Sequence, residues 1–425
     1  VSADESTAGP AANAGRAVAA VWRIESAKIV ATLTRMTGDF PLAEDLAQEA
    51  LAEALEQWPD AGVPRNPAAW LTAVAKRRAV DAWRRRERYD DRIAAIAHDL
   101  EREQDASSDA PPWDPDAVDD DVLRLIFIAC HPVLSREAQV ALTLRVVGGL
   151  GSEEIARAFL VPTATVQQRI VRAKKTLGAA NAPFELPPRE EFRERLGGVL
   201  GVLYLIFNEA HTASAGEDWI RPDLGREATR LTRILSGLVP REPEVHGLLA
   251  LMELTAARFP ARVDRNGDPV LLADQDRSCW DRAAIARGRA ELVRVDALGR
   301  GRGGYALQAS IAECHAVAAS VDDTDWNRIV LLYEALGRLT PSPVIELNRA
   351  AAVAMATGPA SALRIIDQLD MAGELRGYHL LPATRGELLL RLGRRDEARA
   401  EFATAARLAG NERERALLEL KARQP

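Results

Sequence analysis

Residues 150–178 read LGSEEIARAFLVPTATVQQRIVRAKKTLG, and their spacing predicts two short helices separated by a tight break. Ile155, Ala156 and Phe159 share one helical face with Leu160 at its edge. Ser152, Glu153 and Glu154 place a capping hydroxyl and two carboxylates where the unpaired N–H groups of a helix start favour them. Pro162 lacks a backbone donor and restricts Val161, so the first helix ends there and a second begins within about three residues, which is helix-turn-helix spacing. In the second helix Val166, Ile170, Ala173 and Leu177 recur every three or four residues. That leaves Thr163, Thr165, Gln167, Gln168, Arg169, Arg172, Lys174 and Lys175 facing outward or flanking. Amides bond adenine edges, arginine bonds guanine, threonine methyls touch thymine and lysines neutralise phosphates. Four positive charges and no acid lie between Thr163 and Lys175, a composition suited to the major groove of DNA.

The chain has 425 residues, 47% hydrophobic and 28% charged, which describes an ordinary soluble protein with ample core and room for about two to four domains. No run approaches the roughly 18 apolar residues of a membrane span. Positions 1–16, VSADESTAGPAANAGR, lack the charged start and apolar stretch of a secretory signal. The expectation is a cytoplasmic protein with no membrane partner. Cys130, Cys279 and Cys314 are far apart and odd in number, a pattern of neither a disulfide framework nor a CxxC zinc site. They are expected as small buried residues, and no cofactor or metal is expected.

A net charge of −7 would argue against nucleic acid if it were evenly spread, but binding follows local patches. Residues 65–92 hold nine Lys/Arg against four acids, whereas residues 99–121 hold ten acids against one Arg. With Pro111, Pro112 and Pro115 and few apolar residues besides Trp113, the acidic stretch reads as a flexible linker separating two domains.

Upstream of that linker, Val18, Trp22, Ile29, Leu33 and Met36 recur at helical spacing before Gly38-Asp39 breaks the chain. The next helix places Leu42, Leu46, Ala50, Leu51, Ala54, Leu55 and Trp58 inward, with Glu44, Asp45, Gln48, Glu49 and Glu53 forming an acidic outer face. Asn66-Pro67 is a cap followed by proline at the first helical position. It opens a helix through Trp70, Leu71, Val74, Ala75, Val80 and Trp83 that ends in RRR at 84–86. Alternating basic and aromatic groups suit single-stranded DNA, because Arg and Lys hold phosphates while unstacked bases rest on rings.

The order AEDLAQEALAEAL (43–55), NPAAWLTAVAKRRAVDAWRRR (66–86), a linker, and LSREAQVALTLRVVGGLGSEEIARAFLVPTATVQQRIVRAKKTL (134–177) resembles an extracytoplasmic-function (ECF) sigma factor of RNA polymerase. The resemblance implies that the first domain binds the polymerase β′ clamp and opens the −10 promoter element, while the second reads the −35 element and meets the β flap. Carried over by motif, Asp45, Leu46, Gln48 and Glu49 look like clamp-binding positions. Asn66, Trp70, Lys76, Arg77, Arg78, Arg84 and Arg85 look like the −10 reader and its backbone contacts. Thr163 to Lys175 supply the −35 set named above.

The rest of the chain is helix-rich. Leu224, Ala228, Leu231 and Leu235 form one stripe, and Leu248, Leu251, Leu254 and Phe259 another. An interruption at 261–283 carries an Asn266-Gly267 turn and the run Val270-Leu271-Leu272, read as a small hairpin or an extended loop. Asp274, Gln275, Asp276, Arg277 and Asp281 either order that loop through charge-assisted hydrogen bonds or form a regulatory ligand or partner site. From about Asp325 paired helices recur, with Leu392-Gly393-Arg394 turning into a helix carrying Ala398, Phe402, Ala405 and Ala406. This pattern resembles tetratricopeptide (TPR) architecture, whose stacked helix pairs leave a concave surface for a peptide or protein. The combination resembles an ECF subgroup with a TPR-like extension, through HPVLSREAQVALTLR (131–145), YLIFNEAHTAS (204–214), LLADQDRSCWDRA (271–283), YALQASIAECHA (305–316) and LTPSPVIELNRA (339–350).

An enzyme is the competing class, since Asn208, Glu209 and His211 are close in sequence and Cys314-His315 juxtaposes a nucleophile and a base. Adjacent helical residues point about 100° apart, and no glycine-rich phosphate loop or HExxH pair occurs, so no enzyme is expected. A helix-turn-helix regulator with a TPR sensor that ignores the clamp is the other alternative. The 43–86 block distinguishes them, because such a regulator needs no acidic helix followed by an aromatic-basic one. The expected fold is all-α. It comprises a disordered N-terminus (1–16), a sigma region 2 helical bundle (17–97), an acidic linker (98–118), a sigma region 4 helix-turn-helix domain (119–180) and a TPR-like helical superhelix (181–425). The expected partners are RNA polymerase core, promoter DNA and a peptide or protein held by the extension.

Overall fold

The computed structural model describes residues 10–86, 115–159, 161–180, 182–211, 222–264, 270, 272–410 and 412–423. These are all-helical, with short 3-10 turns at Phe259–Ala261, Leu272–Asp274 and Arg277–Cys279. The chain divides into two compact units, Val1–Val202 and Leu203–Pro425.

In the first unit α1 (Pro10–Thr37) and α2 (Phe40–Ala61) form an antiparallel pair. Gly38 turns the chain at φ +63°, and the Asp39 carboxylate caps α2 by accepting the Leu42 N–H at 3.0 Å, so the break falls where Gly-Asp predicts it. α1 buries Trp22, Ile29, Val30 and Leu33 against Phe40, Leu46, Ala50, Ala54 and Trp58 of α2. α3 (Pro67–Arg86) starts at Asn66, whose Oδ1 accepts the Ala69 N–H at 3.1 Å, and adds Leu71, Val74, Ala75 and Ala79 to the core.

Several expectations need correction. α1 starts at Pro10, inside the segment expected to be disordered, and residues 1–9 lie outside the described residues. α4 (Pro115–Ala129) starts inside the expected linker, of which residues 98–114 lie outside the described residues. The helical bundle and the helix-turn-helix are not separate bodies but parts of one unit. α4 buries Val122, Leu125 and Ile126 and packs on α1. There Asp121, itself buried, accepts from Arg35 at 2.7 Å and from Arg124 at 2.6 Å. The turn after α5 (Arg136–Val146) also presses on α1. Gly149 has φ +69°, and a Cβ there would lie 2.7 Å from Ser26 Oγ and 3.2 Å from the Arg23 backbone. Apolar burial on two faces of α1 joins what a linker-like composition suggested would stand apart.

α6 (Ser152–Phe159) and α7 (Thr163–Ala179) form the expected helix-turn-helix. Its cap differs in detail, because Glu154 reaches back to accept the Gly151 N–H at 2.7 Å, which makes Gly151 the capping position instead of Ser152. Ile155 and Ala156 are buried, Phe159 is half-buried, and Leu160 lies outside the described residues. α8 (Arg189–His211) follows, and the boundary between the units falls within it.

The second unit is centred on α10 (Pro243–Ala256), which is buried on every side, as a helix apolar all round must be. α9 (Pro222–Leu238) lays Leu224, Ala228, Leu231 and Leu235 against it. Gly247 and Gly288 allow close packing, since a Cβ at either would meet Ala306 of α12 (Gly304–Val317) or Leu254 below 3.0 Å. α11 (Arg282–Ala297) is capped by Asp281, which accepts the Ala284 N–H at 3.0 Å. Six further helices each pack on the next: α13 (Trp326–Leu339), α14 (Pro343–Ala356), α15 (Pro359–Ala372), α16 (Leu380–Arg391), α17 (Arg395–Leu408) and α18 (Glu412–Arg423). Gly393 turns the chain at φ +76°, and Ala398, Phe402, Ala405 and Ala406 are buried as their spacing predicts.

Candidate nucleic-acid and polymerase interfaces

α7 buries Val166, Ile170, Ala173 and Leu177, the four positions its periodicity selects. Gln167, Gln168, Arg172 and Lys175 are exposed, while Thr163, Thr165 and Arg169 are half-buried on the flanks. This face has two amides and two cations free of any acid of its own helix, so it can offer hydrogen bonds to base edges and charge to phosphates.

Lys174, half-buried on the flank of α7, is turned toward α2. Its Nζ donates to Glu44 Oε2 at 2.7 Å and to Asp45 Oδ1 at 2.6 Å. Burial pulls the Lys174 ammonium down, and the Glu44 and Asp45 carboxylates outweigh it, holding the group above the ordinary lysine value. Arg145 of α5 also reaches Glu44 Oε1, at 3.3 Å. Glu44 is therefore buried, a correction to its expected place on an outer face. Leu55, expected inward, is exposed. α2 has a second covered side because α7 packs on it, which periodicity within one helix cannot reveal.

The expected clamp-binding residues divide. Asp45 and Glu49 are exposed, Gln48 is half-buried, and Leu46 is buried in the bundle core, so its side chain supports the surface without forming it. Glu49 and Glu53 both accept from Arg78, at 2.8 and 2.7 Å. The Glu53 hydrogen bond is the main cause that raises the Arg78 guanidinium above its ordinary value. Arg78, expected to hold promoter backbone, is thus paired with the acidic face beside it.

The remaining α3 residues lie along the helix start and its exposed side. Asn66 caps the helix and is exposed, Trp70 is half-buried and stands edge-on to Trp58 with ring centroids 5.5 Å apart, Lys76 is half-buried, and Arg77 is exposed. Arg84 and Arg85 belong to α3, but their side chains lie outside the described residues.

In the second unit, residues 274–277 act largely as structural pins. Gln275 is buried; it accepts from Arg258 Nε at 3.2 Å and donates to Val270 O at 3.0 Å. Arg277 donates to the carbonyls of His315 and Ala318, both at 2.7 Å, tying the loop to the end of α12. It also lies over Trp280, 4.6 Å from the ring centroid. Asp276 caps the turn at Arg277–Cys279, and Asp274 is exposed. Leu272–Asp274 and Arg277–Cys279 form 3-10 turns, and the Val270 N–H donates to the Arg262 carbonyl at 2.8 Å; residues 265–269, with the expected Asn266-Gly267 turn, and Leu271 lie outside the described residues. Sequence spacing could not show that Arg277 terminates a helix about forty residues further on.

Cys130 and Cys314 are buried, but Cys279 is exposed, contrary to expectation. Burial pushes the Cys130 thiol up to about 11. Among the described residues no group of His, Cys, Asp and Glu could hold a metal ion, and no helix is long and apolar enough to cross a membrane.

Family comparisons agree with this order of parts. Sigma-70 region 2 matches residues 24–89, Sigma-70, region 4 matches residues 124–177, and DUF6596, a family of unknown function, matches residues 195–296. The chain is 44% identical over 394 residues to an uncharacterized protein of Rhizobium meliloti strain 1021, covering 92% of this chain and 91% of the relative. It is 32% identical over 178 residues to the Probable ECF RNA polymerase sigma factor SigI of Mycobacterium tuberculosis, covering 41% of this chain and 58% of that protein. No solved structure matches the chain. The two matched regions are those of a sigma factor and not of an enzyme. The chain belongs to the family of the Rhizobium meliloti protein, with the ECF-type sigma-factor regions 2 and 4 followed by a helical DUF6596 domain.

Proposed function

We propose that the chain directs core RNA polymerase to specific promoters and initiates transcription, with its C-terminal unit regulating that activity. The observation that carries this reading is the exposed polar and basic face of α7, borne by a matched sigma region 4 that follows a matched region 2. Gln167, Gln168, Arg169 and Arg172 read −35 base edges, with Thr163 and Thr165 flanking, and Lys175 holds phosphate. Asp45, Gln48 and Glu49 meet the polymerase clamp over the core residue Leu46, and region 4 meets the flap. Asn66, Trp70, Lys76 and Arg77, with Arg78, Arg84 and Arg85, hold the parting −10 strands.

Two expected DNA-contacting residues have internal partners, Lys174 on Glu44 and Asp45, and Arg78 on Glu49 and Glu53. Docking on polymerase and promoter exchanges those carboxylates for clamp residues and phosphates. Regulation by the second unit is a bias between arrangements that differ in their contacts. Its final helices, spaced like TPR pairs, offer a surface to a peptide or protein, and Asp274 with Asp276 presents exposed carboxylates beside the pinned Gln275 and Arg277.

In vitro transcription with core polymerase and a genomic promoter pool tests the reading. The full chain and a truncation after His211, where α8 ends, should both select a common −35/−10 pair, with different output. A protein that binds DNA but neither core enzyme nor a start site is a helix-turn-helix regulator, and that result refutes the proposal. Equal output from both forms under all conditions refutes the regulatory part alone.

A further inference from the structure

The second unit contains a cavity of about 450 Å³ between α8, α10, α12, α13 and α14, within the size range of small-molecule sites. Phe207, Leu251, Ile311 and Tyr333 give it apolar walls, and Asn208 and Asn348 add amides.

Three features make one end of this cavity a site for a polar or anionic group. Arg258 lines it, donating Nε to Gln275 at 3.2 Å and lying over Trp280 at 5.5 Å from the ring centroid. Among the described residues no carboxylate pairs with it. Burial, with the charge of Arg277 nearby, pulls the Arg258 guanidinium down to about 10, which leaves it a cation at neutral pH. A desolvated cation without a counter-ion is costly to hold. Second, His315 lines the same cavity, and its Nδ1 is buried without a hydrogen-bond partner. Burial and the charges of Arg258 and Arg277 hold this imidazole down at about 4, so it is neutral. Third, α14 begins on the cavity. Ser342, Val344 and Ile345 line it, and Ser342 makes no side-chain capping bond. The unpaired N–H groups of a helix start carry partial positive charge.

We propose that this cavity binds a small organic carboxylate with an aromatic or branched apolar body. The carboxylate sits on Arg258 within reach of the α14 N-terminus, and the body lies among Phe207, Ile311 and Tyr333. A single carboxylate suits the site better than a phosphate dianion, because Arg258 is the one cation among the described lining residues. The planar guanidinium also matches a carboxylate in shape. Arg258 is a ligand-binding residue here, and Gln275 is a positioning residue that orients it.

The inference is independent of the transcription reading, since binding is measured without polymerase or promoter. Full-length protein is titrated calorimetrically and by thermal unfolding with benzoate, phenylacetate, 4-hydroxyphenylacetate, indole-3-acetate and 3-methylbutanoate. Each is paired with its neutral primary amide, and inorganic phosphate is a separate arm. At least one carboxylate is expected to bind saturably and raise Tm, with its amide weaker by about tenfold or more. Arg258→Met should weaken binding by a similar factor while its own ligand-free Tm is unchanged or higher, because an uncompensated cation has been removed. Asn348→Trp, at an exposed lining position, should obstruct binding without disturbing the core, and it decides the matter if Arg258→Met does not fold. Absence of binding by every carboxylate, equal binding of the amides, undiminished binding by the variants, or preferential binding of inorganic phosphate would each overturn the proposal.

Discussion

Lys174 of α7 donates to the buried Glu44 carboxylate of α2 at 2.7 Å, so a residue of the helix predicted to read DNA is held by the helix predicted to meet polymerase. Removing one member of a buried charged pair leaves the other unsatisfied. Arg145 still reaches Glu44, which softens the loss. Lys174→Ala should lower the unfolding free energy by about 2 kcal/mol, whereas Lys175→Ala, at an exposed position of the same helix, should change it by less than about 0.5 kcal/mol. Urea denaturation of the two variants measures the difference, and equal stabilities would mean that the contact contributes nothing.

Promoter discrimination should separate by residue along α7. Gln168→Ala and Arg169→Ala are each expected to cost about 1–3 kcal/mol on the preferred −35 sequence and much less on a scrambled one. Lys175→Ala should weaken both sequences alike and reduce the salt dependence by about one phosphate contact. Fluorescence anisotropy on the two duplexes over a salt series reads both effects. Uniform losses from all three variants would remove direct base reading.

The turn before the helix-turn-helix should tolerate no side chain. Gly149 has φ +69°, and a Cβ would lie 2.7 Å from Ser26 Oγ. Gly149→Ala therefore combines backbone strain with overpacking and should destabilise by about 2–4 kcal/mol. Gly38 has φ +63° with open space around it, so Gly38→Ala should cost only the strain, about 1 kcal/mol. If both variants unfold at the same denaturant midpoint, the packing of that turn against α1 is wrong.

The second unit carries a pH signature in His246, whose Nδ1 lies 2.7 Å from Glu291 Oε2 and whose Nε2 lies 2.9 Å from Pro240 O. The Glu291 hydrogen bond raises His246 above its ordinary 6.5, against burial and the charge of Arg294. A histidine raised in the folded state stabilises fully below its unfolded pKa, and that stability is lost as pH rises through the folded value. Glu291 is lowered, with burial opposing the His246 and Arg294 contacts, so its contribution is present above the ordinary glutamate value and lost as pH falls. The stability contributed by this histidine should thus be lost as pH rises above its ordinary 6.5, and His246→Gln should flatten that decline. An identical pH profile for wild type and variant would show that the pair does not titrate in this way.

Local periodicity made much of this protein legible. The apolar spacing of Val166, Ile170, Ala173 and Leu177 located the inner face of α7, Gly38-Asp39 located the α1–α2 break, and Asn66-Pro67 located the start of α3, because caps and helical faces depend on residues within a turn or two. The position of Glu44 was not legible, since one helix's periodicity reports one buried face and a second covered side depends on a partner far along the chain. The same limit hid the joining of region 2 and region 4 in one unit, the seat of Gly149 against Ser26, and the role of Arg277 as a clasp on α12. The order of sigma regions was therefore written in the sequence itself. Which charges are satisfied internally, and which stay exposed, was decided only by tertiary packing, because a charge finds its counter-ion through space and not along the chain.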